Sequence, residues 1–466
     1  MDATQESIGW ETYLTAGTKA LSLGRYDDAE KLFQKALMEA RKELSQLASE
    51  PGQASQDSKD SKDSQDSKDN KDSKGNLDSA DSQAETGPNS GGSMQVQGGL
   101  AKISENMGEL YRLQGQFKES ETFFKQALDL NEKVHGGGSK QVAEGLVKLG
   151  AVYRAQGKYS SVEPLLRRAL TIYESEDPDL QDPLELASML ETLADFLRAH
   201  GKYGPAEPLF QRALAKRESV LGPDHPSIGP NLFNLALLYH AEGKYNLAEP
   251  LYERAVRLFE ESWGLDHPSV ATVINYQAEL YRMLGDFPRS ETIHWRALKI
   301  RQNVLGLQHP STAQTLSNLA LLFHVQCKYD QAEPLYQSLL EIRTKDWGPK
   351  HMHVAEVLNS LAEVYHDQGK YAEAEPLYWR AVEIIQESMG HEHPSVAKAL
   401  RRLAQLYEEQ ENFSEADRLY RWGLGVSEKA LGAEHPEVTE LIDRYAALQR
   451  KLISDDDDTT DILWRE

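Results

Sequence analysis

Apolar residues recur through the middle of this chain in two short stripes separated by a turn. Leu232, Leu235, Ala236 and Tyr239 are spaced i, i+3, i+4, i+7. That spacing places them on one face of an amphipathic helix. Gly243-Lys244 then marks a tight turn, and Ala248, Leu251, Tyr252, Ala255 and Val256 make a second apolar face. Pro226 is expected in the first turn of the first helix, where a missing N–H costs nothing. Pro250 is expected among the free N–H positions that open the second. Gly264 suits a helix C-terminus. The small residues Ala236, Ala248 and Ala255 let the two helices approach closely. A lone pair of this kind cannot bury both apolar faces, so such pairs must stack.

The pattern repeats. His-Pro opens at His225, His267, His309, His393 and His435, and His351 stands before Met352 at the intervening position, every step being 42 residues. The turn recurs in register as Gly285-Asp286-Phe287, Cys327-Lys328-Tyr329 and Gly369-Lys370-Tyr371. A fixed period of this length predicts an all-α solenoid. We expect about nine helix pairs. The first lies in 1–49, around the turn Gly24-Arg25-Tyr26. The main array spans 98–452, with units at about 98–139, 140–182, 183–224, 225–266, 267–308, 309–350, 351–392 and 393–434 and a capping helix at 435–452. Residues 50–97 interrupt it with a Ser/Asp/Lys triplet run. That run has almost nothing apolar to bury and reads as a disordered insertion whose serines are open to phosphorylation. Residues 453–466 read as a disordered acidic tail. Gly136-Gly137-Gly138 lacks the lysine and the preceding strand of a phosphate loop, and Ser139 is expected to cap the next helix.

Leu235-Ala236, Tyr239, Gly243, Tyr245, Ala248, Tyr252 and Ala255 resemble the tetratricopeptide repeat. The 42-residue form, G-x-x-H-P followed by L-x-x-L-A-x-L-Y and G-K-Y-x-x-A-E-P-L-Y-x-R-A, is similar to the repeats of kinesin light chains and nephrocystin-3-like proteins. The resemblance implies a right-handed superhelical solenoid whose concave groove holds an extended or helical peptide. It implies a scaffold or adaptor, with two other readings: a cargo adaptor of a microtubule motor, or a peptide-sensing regulator. Kinesin light chains carry a long heptad coiled coil before their repeats, and no sustained heptads are read in this sequence, where repeats are read from near residue 10.

Charge and composition narrow the function. The net charge of −23 disfavours nucleic acid as a partner. The single cysteine, Cys327, allows no internal disulfide. Asp2 and Glu6 precede no apolar core of a secretory signal, and no run approaches the ~20 apolar residues that span a bilayer. A cytoplasmic protein without membrane insertion is the expectation. None of the serine-hydrolase, zinc-protease or dinucleotide motifs occurs, so we expect no enzyme and no cofactor. The recurring histidines are separated by ~8–10 Å or more across repeats, too far for one metal ion with ~2 Å bonds. The local pairs His351/His353 and His391/His393 lack further ligands.

Beside the core stripe, Phe233, Leu237 and His240 are spaced i, i+4, i+7 on a second side of the first helix. Carried from unit to unit, the last of these positions reads Arg112, Arg154, Arg198, His240, Arg282, His324, His366 and then Glu408. An acidic chain thus sets a basic column along one line. The first position reads Glu105, Val147, Glu191, Phe233, Asn275, Ser317, Asn359 and Arg401. Kinesin light chains are similar in offering asparagines there, whose amides hold a peptide backbone. Arg112, Arg154, Arg198, Phe233, Leu237, His240, Asn275, Arg282, His324, Asn359 and His366 are therefore the candidate groove residues, for an acidic or mixed-polarity peptide. Because kinesin light chains take tryptophan-acidic peptides, the resemblance also makes the tail, Asp461-Ile462-Leu463-Trp464 behind an acidic run, a candidate occupant of its own groove.

Overall fold

In the computed structural model residues 9–49, 90–175 and 182–462 are described, and every regular element among them is helical. They form two compact units, 1–220 and 221–466. The first holds the pairs α1 (Trp10–Ser22) and α2 (Tyr26–Ser49), α3 (Ser90–Leu113) and α4 (Phe117–His135), α5 (Lys140–Ala155) and α6 (Tyr159–Tyr173), and α7 (Pro183–Ala199) and α8 (Tyr203–Leu221). The second holds α9 (Gly229–Ala241) and α10 (Tyr245–Trp263), α11 (Pro268–Met283) and α12 (Phe287–Leu305), α13 (Pro310–Val325) and α14 (Tyr329–Trp347), α15 (Met352–Asp367) and α16 (Tyr371–Met389), α17 (Pro394–Glu409) and α18 (Phe413–Leu431), and a closing helix α19 (Pro436–Ile462). Each unit is a stack of helix pairs, with successive helices packing on one another from α1 to α7 and from α9 to α19. The predicted stripes are the core: Leu232, Leu235, Ala236, Tyr239, Ala248, Tyr252 and Ala255 are all buried.

The structure explains why histidine precedes proline. His225, His267, His309, His351, His393 and His435 each accept, through Nδ1, the backbone N–H two residues on, at 3.1 to 3.3 Å. The imidazole thus does the work of a serine or aspartate N-cap, satisfying one of the first free donors of the helix. Trp263 and Trp347, at the ends of α10 and α14, lie against the caps that follow, at 5.2 Å from His267 and 4.6 Å from His351. The turn glycines take positive φ, Gly243 at 74°. Cys327 and Glu411 hold the same left-handed conformation at 57° and 59°, which costs a residue with a Cβ. The turn lysine also has a place: Lys244, Lys328 and Lys370 lie over the rings of Tyr239, Phe323 and Tyr365 at 5.6 to 5.7 Å.

Several expectations are corrected. Pro226 opens a short 3-10 helix, Pro226–Ile228, rather than α9 itself. Pro230 has no N–H to return to the Pro226 carbonyl, which bonds to Gly229 N–H instead. Pro250 lies inside α10, beyond the free donors. The carbonyl it leaves unbonded is that of Asn246, an exposed residue of the first turn. Ser139 occupies the N-cap of α5, but its hydroxyl makes no capping bond and is buried without a partner. The boundaries also move. α3 begins at Ser90, inside the expected insertion, because Val96 is buried and Gly99 packs against the Trp10 ring. α19 runs past Leu452 into the expected tail, to Ile462. Residues 50–89 and 463–466, with most of the insertion and with Leu463 and Trp464, lie outside the described residues.

Candidate binding face

The two helices of a pair are antiparallel, so each candidate position faces a fixed position on the second helix. In the fifth pair Phe233 faces Phe259 at 6.5 Å, and His240 Nδ1 lies 3.3 Å from the Tyr252 hydroxyl. The same facing positions carry Glu105 and Asn131 at 2.9 Å in the second pair, Glu191 and Arg217 at 2.9 Å in the fourth, and Glu408 and Tyr420 at 3.2 Å in the ninth. The candidate residues therefore line a seam shared by both helices. Phe233, Leu237 and His240 are half-buried there, and Asn275 is buried. Phe233 also meets Tyr276 of the next repeat at 5.5 Å. Burial pushes the His240 imidazole below its ordinary pKa.

The basic column exists as positions, but most of its charge is cancelled locally. Arg112 pairs with Glu109 at 2.6 Å, Arg198 with Asp195 at 3.2 Å, and the Arg282 Nε donates to Glu279 at 2.9 Å. Each acid stands one turn earlier on the same helix. His324 and His366 reach the following repeat instead, to Asp367 at 2.8 Å and Glu409 at 2.9 Å. Lys451 answers Glu408 at 2.6 Å one step further. Arg154 has no ion pair among the described residues. Such half-exposed pairs contribute about 0–1 kcal/mol each, so they set charge and orientation more than stability. Asn275 and Asn359 each keep an unpartnered, buried amide oxygen.

In the first unit this face holds a cleft of about 450 Å³. Val147, Tyr173, Leu184 and Met189 provide apolar surface, and Glu144, Lys148, Glu185, Ser188 and Thr192 complete its lining. Lys148 is held by Glu105 at 2.7 Å, and Lys140 pairs with Glu185.

The sequence places Tyr252 in the core, and its part in the seam, with that of the other second-helix residues, emerges only from the structure. The position of Tyr252 is filled by Phe124, Leu166, Phe210, Tyr336, Tyr378 and Tyr420 in other repeats, all buried. In the sixth repeat it is His294, fully buried, with neither ring nitrogen partnered. Burial and the neighbouring Arg282 and Arg301 lower its pKa to about 4, so the ring is neutral at neutral pH. Facing Asn275 stands Arg301, 4% exposed. Its Nη1 donates to the Ser311 carbonyl at 2.6 Å and the Thr315 hydroxyl at 2.7 Å, its Nη2 to the Thr272 hydroxyl at 3.2 Å, and its Nε has no acceptor. The departure from the repeat pattern at these two positions was the available signal.

The capping histidines do not form metal sites: an Nδ1 that accepts a backbone N–H leaves the ring's one proton on Nε2 when neutral. At His351-Met352-His353 the second ring is also taken, its Nδ1 lying 3.0 Å from Glu356. No described helix is long and apolar enough to cross a membrane.

Stacked helix pairs with this turn and this small-and-large residue code define a repeat protein built for binding other proteins. The chain belongs to the tetratricopeptide repeat family, matched over residues 99–175, 185–261, 269–345 and 353–429. No curated protein sequence matches it. Among solved structures it is similar to BtubC (BKLC) from P. vanneervenii, at 26% identity over 50% of this chain and 91% of that one, with a TM-score of 0.41. A chain of nearly identical TPR-like repeats from Podosopora anserina, described as a kinesin light chain, shares 23% identity over 45% of this chain and 99% of that one, with a TM-score of 0.41. A signal-transduction ATPase with a tetratricopeptide repeat sensor from Pyrococcus horikoshii shares 11% identity over 70% of this chain and 49% of that one, at a TM-score of 0.50. The family makes the chain a protein-interaction scaffold, of a fold that is typically non-enzymatic.

Proposed function

We propose that the chain acts as an adaptor that holds a peptide segment of a partner protein along the seam of its helix pairs. The observation that carries this reading is the cleft on α5–α7, where apolar surface lies among side chains of both charges. That arrangement suits an apolar side chain inside a peptide of mixed polarity. The paired cations of the seam favour the same mixed partner over a purely acidic one, because an incoming carboxylate must displace Glu109, Asp195 or Glu279 from its arginine.

Fluorescence anisotropy against a panel of labelled acidic, basic, neutral and mixed dodecapeptides tests the reading. Mixed and acidic peptides carrying a large apolar residue are expected to bind. Val147→Glu, which puts a charge into the cleft, is expected to weaken that binding at least tenfold, with its helical circular dichroism unchanged. If the intact protein binds no member of the panel, the adaptor reading falls. A peptide of residues 454–466 belongs in the same panel: if the tail occupies the seam, removing it from the protein raises affinity for the others.

A further inference from the structure

The facing register shows where the seam lacks an acid of its own. In the fourth repeat the second-helix cation Arg217 is answered by Glu191 at 2.9 Å. Burial raises the Glu191 pKa against the pull of Arg217, so this pair is desolvated as well as close. One and two repeats beyond the apolar fifth, the same second-helix position is again arginine: Arg301 and Arg343. Here the facing residue is Asn275 in one repeat and Ser317 in the other, neither of which carries charge. Arg301 is held only by neutral oxygens. Arg343 is half-buried and has no hydrogen bond or ion pair among the described residues. Two like charges one repeat apart therefore stand on one seam without a counter-charge, in a protein whose net charge is −23.

A cation removed from water and left unpaired is unfavourable, and a carboxylate brought to it recovers much of what burial took away. We infer that the facing positions 275/301 and 317/343 form a site for carboxylates of an acidic partner peptide. Arg343, which solvent reaches, makes the direct contact, with the Ser317 hydroxyl on the facing position. Arg301 is locked by α13 and supplies a fixed positive field from the neighbouring repeat. Arg301 on α12 and Arg343 on α14 stand on the second helices of successive pairs, so an extended peptide with several carboxylates can present one to each repeat. This inference rests on the reading that the seam takes a peptide, and it adds which chemical group is read in repeats six and seven.

The test uses the full-length protein and two labelled, end-blocked octapeptides, alternating Ala-Glu and alternating Ala-Gln. The intact protein is expected to bind the Glu peptide at least tenfold more tightly than the Gln peptide. Ser317→Glu and the double variant Asn275→Glu/Ser317→Glu give repeats six and seven the internal acid that repeat four already has. They are expected to abolish the preference while keeping or raising the thermal midpoint. Arg343→Gln is expected to abolish it too. Glu191→Gln, which uncovers Arg217, is expected to increase the preference. The inference is overturned if the Glu peptide is not preferred, or if the preference survives in Ser317→Glu, in the double variant and in Arg343→Gln. Binding of both peptides with equal strength, or of neither, would overturn it while leaving the adaptor reading to the dodecapeptides that carry a large apolar residue.

Discussion

The fifth and sixth repeats stand side by side in the second unit and share a register, yet their seams have opposite chemistry. In the fifth, Phe233, Tyr252 and Phe259 bring rings together at 6.1 and 6.5 Å, and Gly229 makes room for the Phe259 ring, which a Cβ there would meet at 2.9 Å. In the sixth, the same three places hold Asn275, His294 and Arg301, with unpartnered polar atoms on all three. The stripe on the first helix does not change: Ile274, Ala278 and Tyr281 are as buried as Leu232, Ala236 and Tyr239. The helices are therefore held by the stripe and the turn, and the seam is free to be apolar or polar. The polar choice is unfavourable by about 1–3 kcal/mol for each buried group left without a partner. A repeat that keeps such groups gives up stability that its neighbour retains.

Three perturbations sharpen this contrast. The largest effect belongs to the apolar seam. Tyr252→Ala removes a fully buried ring and is expected to cost about 3–5 kcal/mol in chemical denaturation. A loss below about 1 kcal/mol would show that the seam of the fifth repeat is not structural. In the sixth repeat the expected sign reverses, since His294→Phe restores the aromatic column and is expected to stabilise by about 1–3 kcal/mol at neutral pH.

The same substitution also changes the response to acid. The unfolded imidazole gains a proton below about pH 6.5, whereas the folded His294 resists until about pH 4. Its contribution is complete above the higher value and is lost as pH falls through the interval. That loss approaches ~3 kcal/mol. Subtracting the pH profile of His294→Phe from that of the intact protein isolates this slope, and parallel profiles would contradict the assigned environment.

The smallest effect is expected to be the same in both repeats. His225→Ala and His267→Ala each remove one N-cap and are expected to cost about 1 kcal/mol, with aspartate in place of histidine restoring most of it. Unequal losses would mean that the cap depends on the seam it introduces.

What could be read from the sequence follows from what is periodic. The 42-residue step fixed the helix pairs, their turns and the core stripe because each depends on spacing within one short segment. The role of the histidines was hidden, since a side chain known for metals and proton transfer acts here through one lone pair on a backbone donor. Pro250 lies deeper in α10 than its sequence neighbours suggest, because the helix start depends on where the turn ends. The seam needed the antiparallel register, which joins residues that are not neighbours on either helix. The cancellation of the basic column was in part visible: Glu109, Asp195 and Glu279 each stand three residues before their arginine. The bonds from His324 and His366 to the next repeat were not, because they depend on how one pair sits on another.

The two ways of partnering the column differ in what they allow a lineage to do. Where arginine and acid share a helix, as in the second, fourth and sixth repeats, that pair survives when a segment of 42 residues is copied or deleted whole. Where His324 leans on Asp367, and His366 on Glu409, the partners belong to different copies, and losing one copy orphans a residue in another. The first arrangement makes interchangeable parts, and the second makes an ordered sentence whose words cannot be shuffled. On this basis, a related chain that lacks the repeat carrying Asp367 should also have replaced His324.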